Sequence, residues 1–292
     1  MTTVATEPWH HRDIITNGIR MHYVTQGDGP LILLLHGFPE FWYSWRYQIP
    51  FLAGHGYTVV APDLRGYNDT DKPRKGYDIP GLLRDIEGLI KGLGQDKAII
   101  VGHDWGGGLA WGFAIRYPQM TERLIVMNAP HPQAMLRELR TLKQLRKSWY
   151  MFFFQIPWLP ETMLLRNHAN EIGRMLRGSA VQKDTFPHEV TAKYQEAMSK
   201  PGSVTAALNY YRQLFRHPPG PAERISHISI PTLLIWGEQD IALGIELTYG
   251  LEQWVDNIQV KRIPDSGHWV QQEQPDKVNQ LMLAFLQGRH EL

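Results

Sequence analysis

The 292-residue sequence contains no cysteine. That one absence excludes disulfide scaffolds, cysteine-ligated zinc, iron–sulfur clusters and thiol nucleophiles. Net charge is also missing: 30 Lys and Arg against 29 Asp and Glu leave +1, without the basic footprint of a general nucleic-acid binder. No apolar run reaches the ~18 residues that a spanning helix needs. The nearest candidate, Ser148 to Pro160, is interrupted by Gln155, Pro157 and Pro160. Met1 to Asp13 has no apolar segment of the signal-peptide kind, so a soluble, cytoplasmic protein is expected. What the chain does have is length and 43% hydrophobic residues, enough for one large α/β domain or two smaller ones.

Asp13 to Tyr23 reads as a hairpin about Asn17-Gly18, a dipeptide suited to tight primed turns. Short apolar runs follow at Leu31–Leu35, Thr58–Ala61, Ala98–Val101, Leu124–Met127, Leu233–Trp236 and Val260–Ile263. Continuous rather than alternating apolarity marks strands buried on both faces. Helical spacing lies between them, as in Leu82, Ile86, Leu89, Ile90 and Leu93. The expectation is an α/β fold, a mostly parallel sheet with helices on both faces. The alternation stops between His131 and Arg224, where helical, basic and aromatic stretches end in Pro218-Pro219-Gly220-Pro221, and strand-like sequence resumes at Ile228. The expected domains are therefore a core of residues 1–130 and 226–292 and a helical insert of 131–225.

Gly102-His103-Asp104-Trp105-Gly106-Gly107 follows one apolar run and precedes a nearly all-apolar helix. Small residues around one reactive side chain, on a sharp strand-to-helix turn, make a nucleophile elbow. Here the reactive residue is Asp104. A carboxylate with an ordinary pKa near ~3.9 is anionic at neutral pH without a base, and it attacks saturated carbon to form an ester. Ser266-Gly267-His268-Trp269 follows the last strand and Asp240 the strand before it, giving the order nucleophile, acid, histidine. His36-Gly37-Phe38-Pro39 offers an oxyanion turn. Pro39 has no N–H, so the donors expected are the backbone amides of Phe38 and Trp105.

With these motifs in place, the chain from Asn17 to Leu286 resembles the α/β-hydrolase-fold epoxide hydrolases. The resemblance rests on His36-Gly37-Phe38-Pro39-Glu40, Tyr43-Ser44-Trp45-Arg46, the Asp104 elbow, Asn128-Ala129-Pro130-His131-Pro132, Phe154-Gln155-Ile156-Pro157-Trp158, Asn209-Tyr210-Tyr211-Arg212 and Gly267-His268-Trp269. It implies that 131–225 is a cap, that Asp104 opens an epoxide while a cap tyrosine holds the oxygen, and that His268, oriented by Asp240, activates water against the ester. It implies no metal and no organic cofactor. Tyr211 matches the ring-opening tyrosine, with Tyr210 its rival if the register slips. The family's second tyrosine, before Phe-Gln, falls on Phe153, which has no hydroxyl. Either Tyr211 then acts alone, or Tyr150 or His131 substitutes, although Tyr150 also reads as cap packing and His131 as a structural residue at the core–cap junction. Relatives often carry Gly where this chain has Asn68, a residue able to take the same left-handed backbone.

Trp105, Phe153, Phe154 and Trp269 are the expected substrate-lining residues, and the aromatic cluster Trp149–Phe154 suggests an apolar epoxide. A homodimer is compatible with the family. Three other readings are weaker. A haloalkane dehalogenase would use the Asp104–Trp105 pair, with the indole on the halide, but needs a second halide donor, often Asn where Phe38 stands. A fluoroacetate dehalogenase carries Arg after the nucleophile and often an acid near the end of the 124–127 strand, where this chain has Trp105 and Asn128. A non-catalytic ligand-binding protein of the same fold usually loses a triad member, and this chain keeps all three. The basic, aromatic Arg137–Trp158 segment could dock on a membrane, but reads instead as a cap whose apolar face covers the pocket. His10-His11 reads as a solvated terminus, Phe41, Trp42 and Trp45 as core or pocket wall, and Gly106–Gly108 lacks the Lys of a phosphate loop.

Overall fold

Eight strands form one sheet: β1 (His10–Thr16), β2 (Ile19–Gln26), β3 (Leu31–Leu35), β4 (Thr58–Pro62), β5 (Ala98–His103), β6 (Thr121–Met127), β7 (Thr232–Gly237) and β8 (Ile258–Ile263). The structure is a computed structural model that describes residues 8–217 and 227–289. Strand order is β1-β2-β4-β3-β5-β6-β7-β8, antiparallel through β1, β2 and β4 and parallel from β4 to β8. The hairpin forms at Asn17-Gly18, both with positive φ (44° and 75°), as a primed turn requires. Asn68 also has positive φ, 39°, so the loop keeps its shape without glycine.

The central strands β3, β5, β6 and β7 owe their place to composition. Every residue of β3, β5 and β7 is buried, because helices cover both faces. The helix Ile79–Gly92 begins where the Asp78 carboxylate accepts the Gly81 amide. Its apolar stripe Leu82, Ile86, Leu89 and Ile90 is buried. Two expectations need correction. β8 is only half-buried, since Lys261 and Arg262 lie in it and it has a neighbour on one side only. Ile228 makes a single bridge to Val255 instead of starting a strand. His10 and His11 are exposed, as expected, but they belong to β1, and His11 Nδ1 lies 2.9 Å from His22 Nε2.

Because β4 and β5 flank β3 on opposite sides, the loops after β3 and β5 diverge at a switch point, where open α/β sheets bind ligands. Six helices between Pro132 and Arg216, with no strand among the described residues there, lie over those strand ends. Tyr210 donates to the Arg65 carbonyl after β4, Gln144 to the Ala242 carbonyl after β7, and Tyr194 to Gln272 after β8. The expected segment Pro218–Pro221 and the far boundary at 225/226 lie outside the described residues.

Candidate active site

Asp104 sits at the end of β5 with φ 50° and ψ −120°, a strained conformation that lifts its side chain above the sheet. The flanking glycines make the turn possible. A Cβ on Gly102 would stand 2.2 Å from the Gly106 carbonyl oxygen, and one on Gly106 would stand 2.1 Å from that of Leu35. The loop after β3 closes on the carboxylate: the Phe38 amide donates to Asp104 Oδ1 at 2.8 Å, and the Trp105 amide also hydrogen-bonds the side chain. Burial pushes the Asp104 carboxyl up. The charges of His268 and His103 and the two amides oppose that rise without cancelling it.

His268 Nε2 stands 3.7 Å from Asp104 Oδ2, too far for a hydrogen bond, while its Nδ1 is 2.7 Å from Asp240 Oδ2. Asp240 is buried and fully engaged. Asn128 Nδ2 donates to Oδ2 at 2.8 Å, and the amides of Ala242 and Leu243 donate to Oδ1. Burial would raise its pKa, but the His268 charge and these donors hold it below the ordinary carboxylate range. Burial would lower the pKa of His268. The neighbouring Asp240 and Asp104 outweigh that and raise it to about 9.

Opposite this pair stands Tyr211, on the helix Ser203–Arg216, with its ring against Phe38, Trp105, Phe154 and Tyr150. The Trp105 side chain hydrogen-bonds its hydroxyl, and burial with the Asp104 charge keeps the phenol protonated far above neutral pH. An indole only donates, so the Tyr211 proton remains available for another acceptor. Tyr210, the rival, turns away and gives its hydroxyl to the Arg65 carbonyl at 2.8 Å.

Residues 30–275 match the alpha/beta hydrolase fold family. The chain is 42% identical over 289 residues to epoxide hydrolase 4 of Homo sapiens, covering 92% of this chain and 76% of the human protein. It is 41% identical to the AB hydrolase superfamily protein YfhM of Bacillus subtilis (strain 168), covering 94% and 96% of the two chains. The crystal structure of Bacillus megaterium epoxide hydrolase in complex with an inhibitor superposes with a TM-score of 0.87 at 36% identity, over 94% of this chain and all of that one. The chain belongs to the epoxide hydrolases of the α/β hydrolase fold.

Seen as an epoxide hydrolase, the chain departs from expectation at the second tyrosine. Tyr150 lies on the helix Trp149–Phe153, its ring 6.0 Å from that of Tyr211 and 5.8 Å from that of Phe154. Burial, then the charges of Asp104 and Asp240, raise its pKa. Phe153 packs between Trp149 and Phe154. Tyr150, three residues before Phe153, is thus the hydroxyl-bearing ring of this helix that packs against Tyr211. Trp269 packs edge-on against His268 and donates its indole N–H to Ser179, which steadies the histidine.

His131 is held elsewhere. Its ring stacks on Trp254 (interplanar angle 3°) and meets the Trp111 edge, and Nδ1 accepts the Gln133 amide. Burial and the neighbouring His227 lower its pKa to about 4. The folded protein keeps this imidazole neutral, while the unfolded chain takes up a proton below about 6.5. The stability it confers is present above pH 6.5 and is lost as pH falls towards 4, by on the order of 3 kcal/mol. Denaturant midpoints measured from pH 7 to 4.5 should fall, and His131→Gln should flatten that fall; an unchanged slope would contradict the assignment.

One buried pair had no role in the sequence reading. Glu40 Oε2 is 2.7 Å from His103 Nδ1 and accepts the Gly37 amide, while Oε1 accepts Gln271 and Gln272. His103 Nε2 donates to the His268 carbonyl at 2.8 Å. Burial raises the Glu40 carboxyl, but His103 and the Gly37 amide bring it below its usual range, and the two side chains form a buried hydrogen-bonded pair. It ties the Phe38 loop, the elbow and the His268 loop into one rigid block. His22, Asp63 and Asp69 also bring ligand-type atoms within 4.8 Å of one another. Those side chains already bond each other, Trp42, Asn68 and Lys200.

Proposed function

We propose that the protein converts an apolar epoxide to a vicinal diol through an ester on Asp104, beneath a cap formed by residues 131–225 on a core of 1–130 and 226–292. The observation that carries this reading is the placement of Asp104 between His268–Asp240 on one side and the Tyr211 and Tyr150 rings on the other. Asp104 attacks one epoxide carbon. The carbon–oxygen bond breaks, and the oxygen takes a proton from Tyr211, assisted by Tyr150. Positioned acid catalysis of this kind contributes about 10²–10⁴ in rate.

The charges explain the order of events. In the resting state His268 carries a proton because Asp240 and Asp104 both favour it. Ester formation removes the Asp104 charge. His268 then holds its proton less tightly and can return it to the phenolate, which leaves a neutral imidazole. The same loss of charge lowers the barrier to phenolate formation at Tyr211 and Tyr150, whose pKa values the Asp104 carboxylate raises. Neutral His268 next takes a proton from water, and the hydroxide attacks the ester carbonyl. The Phe38 and Trp105 amides stabilise the resulting oxyanion. On collapse the diol oxygen leaves with the proton of the new carboxyl group, and Asp104 is again an anion beside protonated His268.

The dehalogenase reading is disfavoured by Phe38, which offers no side-chain donor for a second hydrogen bond to a halide. Every group used comes from one chain, so the chemistry does not require a homodimer. A cytoplasmic location accompanies this reading; no helix among the described residues is long and apolar enough to cross a membrane. Diol formation from styrene oxide or a longer alkyl epoxide tests the proposal. Wild-type protein should turn over and Asp104→Ala should not, whereas equal rates for the two would refute it.

A further inference from the structure

The cap segment Leu142–Ile156 carries an apolar stripe on its outer side. Leu142, Leu145, Trp149, Phe152 and Ile156 recur at helical spacing, normally the sign of a buried face, yet all five are exposed, Leu142 at 72% and Trp149 at 63%. A second apolar face, with buried Met151 and Phe154, turns inward as expected, so this stripe is additional to the one over the pocket. The residues turned inward include Gln144 and Ser148, both buried. Gln144 fixes that orientation: its amide donates to the Ala242 carbonyl at 2.9 Å and its oxygen accepts the Gly244 amide at 2.9 Å. Phe152 extends the apolar stripe to exposed Phe215 through a ring contact of 5.4 Å. At its far end Trp158 is 81% exposed and has a φ of 60°, a strained backbone for a bulky residue. Nothing in the fold rewards that strain by burying the indole.

Within this stretch of sequence the charge has one sign. Between Glu138 and Glu161 the chain has Arg140, Lys143, Arg146 and Lys147 and no acidic residue. Arg140, Lys143 and Arg146 are exposed, Lys143 in contact with Glu246. Two copies meeting on this face would set like charges against each other, which a self-complementary interface disfavours. An anionic lipid surface satisfies both features, with aromatic and leucine side chains in the acyl boundary and arginines among the headgroups.

We infer that the cap docks on anionic membranes through Leu142, Trp149, Phe152 and Trp158, with Arg140 and Arg146 at the headgroups. Tyr150 and Phe154, on the opposite side of the same short helices, face Tyr211. Docking would therefore set the cap between the bilayer, where apolar epoxides collect, and Asp104.

Flotation of the full chain with phosphatidylcholine vesicles, with and without phosphatidylglycerol, tests this. The wild type should float with the anionic vesicles and much less with neutral ones, and added salt should weaken binding. Trp149→Ser with Phe152→Ser should lower partitioning by about tenfold or more, and Arg140→Gln with Arg146→Gln should abolish the preference for phosphatidylglycerol. Neither pair touches Asp104, so turnover of a water-soluble epoxide and near-UV circular dichroism should stay at wild-type levels and report folding. Failure of the wild type to float, equal floating of the Trp149/Phe152 variant, or a concentration-dependent dimer that these substitutions dissociate would each overturn the inference. Docking and catalysis are read separately, so one can fail without the other.

Discussion

A His268→Gln variant is expected to stop halfway, with its mass increased by that of one substrate molecule. Glutamine retains most of the volume of histidine but cannot take a proton from water. Asp104 remains anionic and next to the epoxide, with Phe38 and Trp105 still donating to it, so alkylation proceeds and hydrolysis does not. Steady-state turnover should fall by about 10⁴–10⁶-fold. Intact-mass spectrometry should show a stoichiometric adduct that maps to the peptide containing Asp104. Asp240 does not become an isolated buried charge in this variant, because Asn128, Ala242 and Leu243 still donate to it. The variant should therefore fold. If it is folded and inactive but carries no adduct, the two-step scheme is wrong.

Removing the phenols should affect the other half of the reaction. Tyr211→Phe retains the ring against Phe38, Trp105 and Phe154 and loses only the hydroxyl. Turnover should fall by about 10²–10⁴-fold, with the loss in the alkylation rate measured under single-turnover conditions. Tyr150→Phe should cost less, about 10-fold to 10²-fold, because the Tyr211 hydroxyl is left in place. In the double variant the losses should not add, because both groups serve one oxygen atom. If Tyr150 only packs the cap, Tyr150→Phe will alkylate at the wild-type rate. That result would leave Tyr211 as the single acid.

Much of this site was legible in the sequence because each part has a local signature. A strained elbow needs small residues beside Asp104, a primed hairpin needs Asn17-Gly18, and the triad order places Asp240 and His268 after successive strands. The loop at Asn68 was legible for the same reason, since few residues adopt positive φ. Contacts between distant segments were not. Glu40 and His103 are 63 positions apart in sequence, and only the adjacency of β3 and β5 makes them a pair.

The choice among Tyr211 alone, Tyr150 and His131 stayed open for a related reason. In a run of five aromatic residues around Met151, spacing from Phe-Gln pointed to 153, but two short helices joined at Ser148 decide which rings turn inward. The same break hides the meaning of the apolar stripe. Periodicity reveals a face but not its direction, and hydrogen bonds from Gln144 turn this one outward. The reading of Val260–Ile263 as an apolar run failed more simply. Half-burial suits an edge strand that carries Lys261 and Arg262.

The central claim is that a carboxylate oxygen of the protein becomes an oxygen of the product. A single turnover in ¹⁸O-labelled water, with enzyme in excess over epoxide, measures it directly. If Asp104 forms an ester that hydroxide attacks at the carbonyl, the first diol should be largely unlabelled and the label should appear in the Asp104 side chain. Label appearing fully in the first diol, with none in the protein, would mean that water opens the ring directly and that Asp104 is no nucleophile.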